Sequence, residues 1–294
     1  MNEIVNMFDR YSRLPSSKSI EGLSKTYSVP LRKVLIDYIA EYHEFKAMTF
    51  IEWLNDSKYS YSSKVTFARG IASFANKTKV IDGEDKKFIY SKFRQMDNDW
   101  SSQVLTAQNI VDMMSQVKIE SKDVLIRSRN NFIIMTLSAV GIRVAQLCGI
   151  EEPLVKVENE VVWLPVIQQK QIQRSLKKNS ELKPIPLAYS VGNIDFKSVY
   201  EKYISIRDIY AKTDKLVINS NGQSITPRSV QLMIASLGNK IGIKVTPHTF
   251  RHYTGQRVAN KYGILKAQIL LGHHNIATTQ KYLNPELINI SEAI

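Results

Sequence analysis

The sequence predicts a mainly α-helical protein with a small antiparallel β-sheet. Three observations predict it. Apolar residues recur at three- and four-residue spacing through most of the 294-residue chain. Helix-opening signals at Thr106, Thr226-Pro227 and Thr246-Pro247 stand directly before helical stretches. The stretch from Val155 to Val166 alternates instead, as a half-buried strand pair does.

Taken in order, Ile4, Met7 and Phe8 mark a first short helix. A longer one runs from Pro30 to about Phe45, with Leu31, Val34, Leu35, Tyr38 and Ile39 on one stripe. Phe50, Trp53 and Leu54 give a third. Residues Ser62 to Ala75 give a fourth, through Val65, Ala68, Ile71, Ala72 and Ala75. Between Met96 and Thr106 the chain turns polar (Asp97, Asn98, Asp99, Ser101, Ser102), which marks a boundary. The expected organisation is a helical domain over 1–98, a linker over 99–105 and a second domain over 106–294. The second opens with Thr106 as N-cap and a stripe of Ile110, Met113, Met114 and Val117. Arg127 to Leu137 reads as a buried helix. Val155 to Val166 reads as a hairpin turning at Glu158-Asn159. Lys183-Pro184-Ile185-Pro186-Leu187 reads as an edge strand, because proline cannot donate to a ladder. From Thr226 onward the chain is helical again.

Composition narrows the function. Hydrophobic residues make up 44% of the chain, enough for sizeable cores. Lys and Arg number 40 against 27 acidic residues, a formal charge of +13. The excess is +4 in 1–98 and +9 in the remainder, so both parts suit a polyanion. The lone cysteine, Cys148, excludes an internal disulfide and sits in an apolar run as a small core residue. The longest apolar run, Phe132 to Ile142, is too short to span a bilayer. The start Met1-Asn2-Glu3 lacks the basic and apolar regions of a signal peptide. A cytoplasmic, nucleoid-associated protein is the expectation, without membrane contact.

The densest chemical signal lies in the last fifty residues. His248 and Arg251 are three apart and share one face near the start of the helix capped by Thr246. That end presents free N–H groups, which favours phosphate. In Leu270-Leu271-Gly272-His273, Gly272 ends a helix and directs His273 outward. Asn275 then caps a short helix with Thr278, Thr279 and Tyr282.

The run Pro247-His248-Thr249-Phe250-Arg251-His252, then Leu271-Gly272-His273, then Thr278-Thr279-Gln280-Lys281-Tyr282 resembles the tyrosine recombinase (phage integrase) family. The family pattern is His-x-x-Arg, Leu-Gly-His and a tyrosine nine residues after that histidine. Its earlier arginine is matched by Gly141-Ile142-Arg143. The sequence departs from many relatives at Gln146, where an acidic residue commonly stands. The resemblance covers the second domain; the first fits the family's helical core-binding domain in length and helix count, and is similar to a simple Xer-type recombinase.

The resemblance implies a catalytic domain that cuts and rejoins DNA through a 3′-phosphotyrosyl link on Tyr282. Arg143 and Arg251 would hold the non-bridging oxygens, His248 would take or share the phenol proton, and His273 would bond the phosphate or the attacking oxygen. A lysine after the second strand would protonate the leaving oxygen. Lys170 comes first after that strand, with Lys177 and Lys178 as alternatives and Lys183 in the same stretch. No cofactor or metal is needed, since the covalent link conserves bond energy. The implied partner is double-stranded DNA, clamped by two domains, with a homotetramer on paired sites. The tail, with Leu287, Ile288, Ile290 and Ile294, would exchange between protomers.

Three rivals stand beside this reading: a type IB topoisomerase, a catalytically silent DNA-binding protein, and a metalloenzyme using His248, His252, His273 and His274. The Leu-Gly-His and Thr-Thr-x-x-Tyr spacing disfavours the first. Retention of every expected reactive residue disfavours the second. The third lacks an acidic or thiol ligand and has Arg251 between its histidines.

Overall fold

The computed structural model describes residues 3–12, 25–78, 105–166, 181–273 and 276–280. By its internal packing the chain divides into two units, Met1–Ser101 and Ser102–Ile294. Both are helical, and the strands among the described residues belong to the second.

The first unit holds α1 (Glu3–Ser12), α2 (Lys25–Tyr42), α3 (Ala47–Asp56) and α4 (Tyr61–Thr78). Its core is the expected stripe set: Phe8, Leu31, Val34, Leu35, Tyr38, Phe50, Leu54, Ala68 and Ile71 are buried. Tyr38 is the hub, with the rings of Phe45, Phe50 and Trp53 edge-on to it at 5.2–5.7 Å. Helix α2 begins five residues ahead of the expected Pro30, which it carries in its second turn. A proline there forfeits a backbone bond, and burial of Leu31, Val34, Leu35 and Tyr38 just after it compensates.

In the second unit, α5 (Ala107–Glu120) and α6 (Val124–Val140) are followed by α7 (Val144–Gly149). Thr106 caps α5 through its side chain, accepting from Asn109 N–H. Helix α6 is central: it packs against α5 and against two helices introduced below. Phe132, Ile133, Ile134, Met135 and Leu137 are fully buried on it, which is why its sequence lacks a polar face. Cys148 on α7 is buried, and burial pushes its thiol up to about 11, which leaves it an inert core residue.

Strands β1 (Lys156–Glu158), β2 (Val161–Val166) and β3 (Glu181–Pro186) form an antiparallel sheet in the order β1-β2-β3. The β1–β2 turn is Asn159-Glu160, one residue beyond the expected pair, since Glu158 pairs with Val161. Both turn residues have positive φ (51° and 59°), the geometry whose twist matches a two-residue hairpin. Strand β3 is an edge strand and carries Pro184 and Pro186, as expected.

A second pair, β4 (Ser190–Val191) and β5 (Ile194–Asp195), leads into α8 (Phe196–Tyr210). The sequence reading did not anticipate these. The signal was present: Asp195 caps the helix by accepting from Ser198 N–H, and Phe196, Val199, Tyr200 and Tyr203 follow at helical spacing. Phe132 of α6 stacks on Tyr203, with ring centroids 4.8 Å apart. Then come α9 (Pro227–Lys240), α10 (Pro247–Tyr262), α11 (Ile264–Leu271) and α12 (Ile276–Gln280). Thr226 and Thr246 cap α9 and α10 as expected. Helix α6 packs against α8 and α10, and α10 against α11. Among the described residues, no helix is long and apolar enough to cross a membrane.

Helix α6 ends at Gly141, with φ +57°. A Cβ there would stand 3.0 Å from Leu271 and 3.2 Å from Thr254, so α10 and α11 both approach the bare backbone. Left-handed backbone costs a non-glycine residue about 1–2 kcal/mol, and crowding adds to it. Gly141→Ala should therefore lower the unfolding free energy by at least that amount, read as a lower urea midpoint at unchanged m. An unchanged midpoint would refute the close approach.

Candidate active site

The site is built where α6, α10 and α11 meet. The C-terminus of α6 leaves its last carbonyls without helical partners, and α10 supplies the donors. Thr254 Oγ1 donates to Ser138 O at 2.9 Å, and Arg257 Nη2 to Ala139 O at 2.7 Å. Arg251 Nη1 donates to Gly141 O at 2.7 Å. Residues 251, 254 and 257 lie three apart on one face of α10, so a single face ties down the segment that presents Arg143.

Arg143 is the N-cap residue of α7, exposed, two residues past that glycine. Among the described residues its guanidinium makes no hydrogen bond or ion pair. Gln146, the departure from the family pattern, accepts from the Arg143 backbone N–H at 3.3 Å. It thus fixes the start of α7. The structure answers how the residue is held in the absence of an acidic neighbour: through its main chain.

Arg251 is buried, 5% exposed. Besides Gly141 O, it donates through Nη2 to Leu271 O and to His273 Nε2, the latter at 2.9 Å. A guanidinium only donates, so Nε2 of His273 is the acceptor and its proton sits on Nδ1. Nδ1 is 2.9 Å from Thr279 Oγ1, which accepts it. Both ring nitrogens are thereby assigned, by Arg251 on one side and α12 on the other. The sequence reading directed His273 to the phosphate or the attacking oxygen; in the structure its Nε2 accepts from Arg251.

Among the described residues, the charges that lower the histidine pKa values share one sign. Burial first, then Arg251, Arg143, His248 and Lys183, lower the His273 pKa to about 4. Burial first, then His248, Arg251 and His273, do the same for His252. His248 is lowered by desolvation, then by Arg251 and Arg143. The His248 and His252 rings lie 5.4 Å apart, as i,i+4 spacing predicts. All three imidazoles are therefore neutral at pH 7, set among cations.

Arg143, His248, Arg251 and His273 are thus brought within range of one another's charge. Tyr282, Lys170, Lys177 and Lys178 lie outside the described residues, as do His274, Asn275, the tail and most of the expected linker. The sequence reading missed Thr254, Arg257, Thr279 and Lys183 as parts of this arrangement. Continuing the three-residue spacing from Arg251 would have found the first two. Lys183 was noted only as one lysine among four.

Neutral histidines amid positive charge have a consequence for stability. A histidine whose folded pKa lies below its unfolded value of about 6.5 is protonated first in the unfolded chain. Its contribution is therefore complete above pH 6.5 and is lost as pH falls towards about 4. The urea midpoint should decline through that window, and His252→Gln should make the decline shallower. Equal slopes for the two proteins would contradict the assignment.

The phage integrase family matches residues 103–287, more than half of the chain. The tyrosine recombinase XerA of Thermococcus onnurineus is 24% identical over all of this chain and 94% of its own length. The tyrosine recombinase XerC of Thermodesulfovibrio yellowstonii is 27% identical over 62% of this chain and 58% of its own. Among solved structures, the Tn1549 transposon integrase in complex with transposon right end DNA has a TM-score of 0.73 at 18% identity, covering 97% of this chain and 95% of that one. The XerH site-specific recombinase, in its post-cleavage complex with a palindromic difH substrate, has a TM-score of 0.66 at 16% identity over 87% and 74%. These likenesses are of fold, and the fold is that described above. The chain belongs to the phage integrase family.

Proposed function

We propose that this protein is a site-specific DNA recombinase that cuts and rejoins DNA through a 3′-phosphotyrosyl intermediate on Tyr282. The observation that carries the reading is the convergence of Arg143, His248, Arg251 and His273, where burial first and then neighbouring positive charge lower the histidine pKa values. A cationic site suits a phosphodiester: the exposed Arg143 presents a planar fork that matches a pair of oxygens, and the fixed charge of Arg251 adds to its attraction. The Tyr282 phenolate attacks phosphorus. The bond to the 5′ oxygen breaks as the bond to the tyrosine forms. His248, neutral at pH 7, receives the phenol proton. Lys170 gives a proton to the departing 5′ oxygen, with Lys177 and Lys178 as the alternatives. A 5′-hydroxyl of a second strand then reverses the steps.

The partner is double-stranded DNA, contacted by both domains, 1–98 and 106–294, joined by the linker over 99–105. Two paired sites call for four protomers, with the tail passing between them. Supporting this, Leu265 and Ile269, four apart on α11, are 63% and 70% exposed, an apolar face of the kind that the tail's Leu287, Ile288, Ile290 and Ile294 would cover. Action in the nucleoid follows from the substrate.

A nicked duplex taken from DNA flanking the gene should trap a covalent adduct with the wild type and none with Tyr282→Phe. Arg143→Gln and Arg251→Gln should each slow adduct formation by about 10²–10³-fold, the usual effect of removing one such donor. An adduct in Tyr282→Phe would defeat the proposal. Relaxation of a one-site plasmid without exchange between two sites would favour the topoisomerase reading instead.

Deleting 284–294 should leave binding to a single site intact but weaken synapsis, measured by gel mobility of paired sites. Leu265→Ser/Ile269→Ser should do the same. Full recombination by both variants would remove the tail from the assembly.

A further inference from the structure

Helix α11 ends inside the protein, and its four last carbonyls have no helical partners. Each acceptor can be traced. Gln268 O receives the N–H of Gly272 and, at 3.1 Å, of His273. Ile269 O receives the N–H of Gly272 at 3.0 Å. Leu271 O receives Arg251. Leu270 O receives the ammonium of Lys183, which also reaches Ile269 O at 3.5 Å. The helix end that presents His273 is closed by two buried cations, one from α10 and one from β3.

Lys183 is an anomaly on its strand. It stands opposite Leu164, midway along the β2–β3 pairing, and is 5% exposed. The alternation of β3 places Lys183, Ile185 and Leu187 inward, while Leu182 is 45% exposed. An apolar residue is expected at an inward position. A buried ammonium survives only where acceptors replace its water. A helix C-terminus offers both carbonyl oxygens and a negative dipole end. The charge is then close enough to be felt by His273.

We propose that Lys183 is a positioning residue of the active site: by closing the C-terminus of α11 it fixes where His273 stands beside Arg251. This rests on the functional reading above and concerns a residue distinct from the proton donor that Lys170 represents. Lys183 acts through the helix end and touches no reacting atom.

The test uses the full chain and two readouts. The first is the His273 side-chain N–H, followed by nitrogen-edited NMR without DNA. The second is adduct formation on the nicked duplex, alongside duplex affinity. In the wild type the His273 Nδ1–H should exchange slowly, being held by Thr279. Lys183→Met, which keeps the stem but not the donors, should speed that exchange. It should also slow adduct formation by about ten- to a hundredfold, the cost of a small misplacement, with duplex affinity within about twofold. Lys183→Arg should restore both. Should Lys183→Met not fold, Lys183→Gln replaces it, being too short and uncharged to cap two carbonyls.

Unchanged exchange and adduct rate in the folded Met or Gln variant overturn the proposal, as does failure of Lys183→Arg to restore either. Because the NMR readout needs no DNA, it stands even if the wild type forms no adduct, the result that would sink the recombinase reading instead.

Discussion

The Arg251 guanidinium ties together the ends of two helices, and the geometry of the site depends on it. One nitrogen holds Gly141 O, at the end of α6; another holds Leu271 O, at the end of α11, and His273 Nε2. Arg143 follows the first of these carbonyls by two residues and His273 follows the second by two. The residues expected to meet a phosphate are thus placed by the side chain expected to meet it with them. Burial of a permanent charge is tolerable because helix C-termini supply oriented carbonyl dipoles in place of water. The two glycines serve the same end: Gly141 and Gly272 both take positive φ, so each helix stops abruptly with its carbonyls aimed at α10.

This arrangement also sets the protonation state. Burial desolvates the histidines, and the cations around them add to its effect, so the imidazoles are neutral where free histidine would be partly charged. A neutral ring can accept a proton; a charged one cannot. The positive field comes from arginine, whose charge is fixed, so the site keeps its attraction for an anion throughout the range in which its histidines stay neutral. Recognition and proton transfer are assigned to different residue types for that reason.

Much of this could be read in the residues. Apolar stripes located the first unit's helices because a helix that buries one face repeats every three to four residues. Caps at Thr106, Thr226 and Thr246 located three helix starts because an orphan N–H needs an acceptor. The His248, Arg251 and His273 motif survived because short spacing on adjacent helices translates directly into proximity. What escaped was non-local. Helix α8 was passed over although Asp195 and its aromatic stripe were there, since two-residue strands before it gave no frame. Lys183 could not be interpreted because its acceptors lie 86 and 87 residues away. Thr254 and Arg257 reach carbonyls more than a hundred residues back, and no periodicity reports such a pairing.

The contrast between residues 251 and 183 explains why each is the cation it is. Arg251 serves acceptors on two helices and a ring nitrogen, in different directions, from a single buried position. That requires a rigid fork with several donors at fixed angles, which an ammonium does not provide. Lys183 serves two carbonyls from successive residues of one helix end, which lie close together and face the same way. A compact charge at the end of a long apolar stem fits there, and the stem fills the inward position on β3 that an aliphatic side chain would otherwise occupy. The choice of cation at each position follows from how its acceptors are distributed in space. The same logic puts a second arginine, the exposed Arg143, where a tetrahedral phosphate, with its spread of oxygens, is expected to arrive.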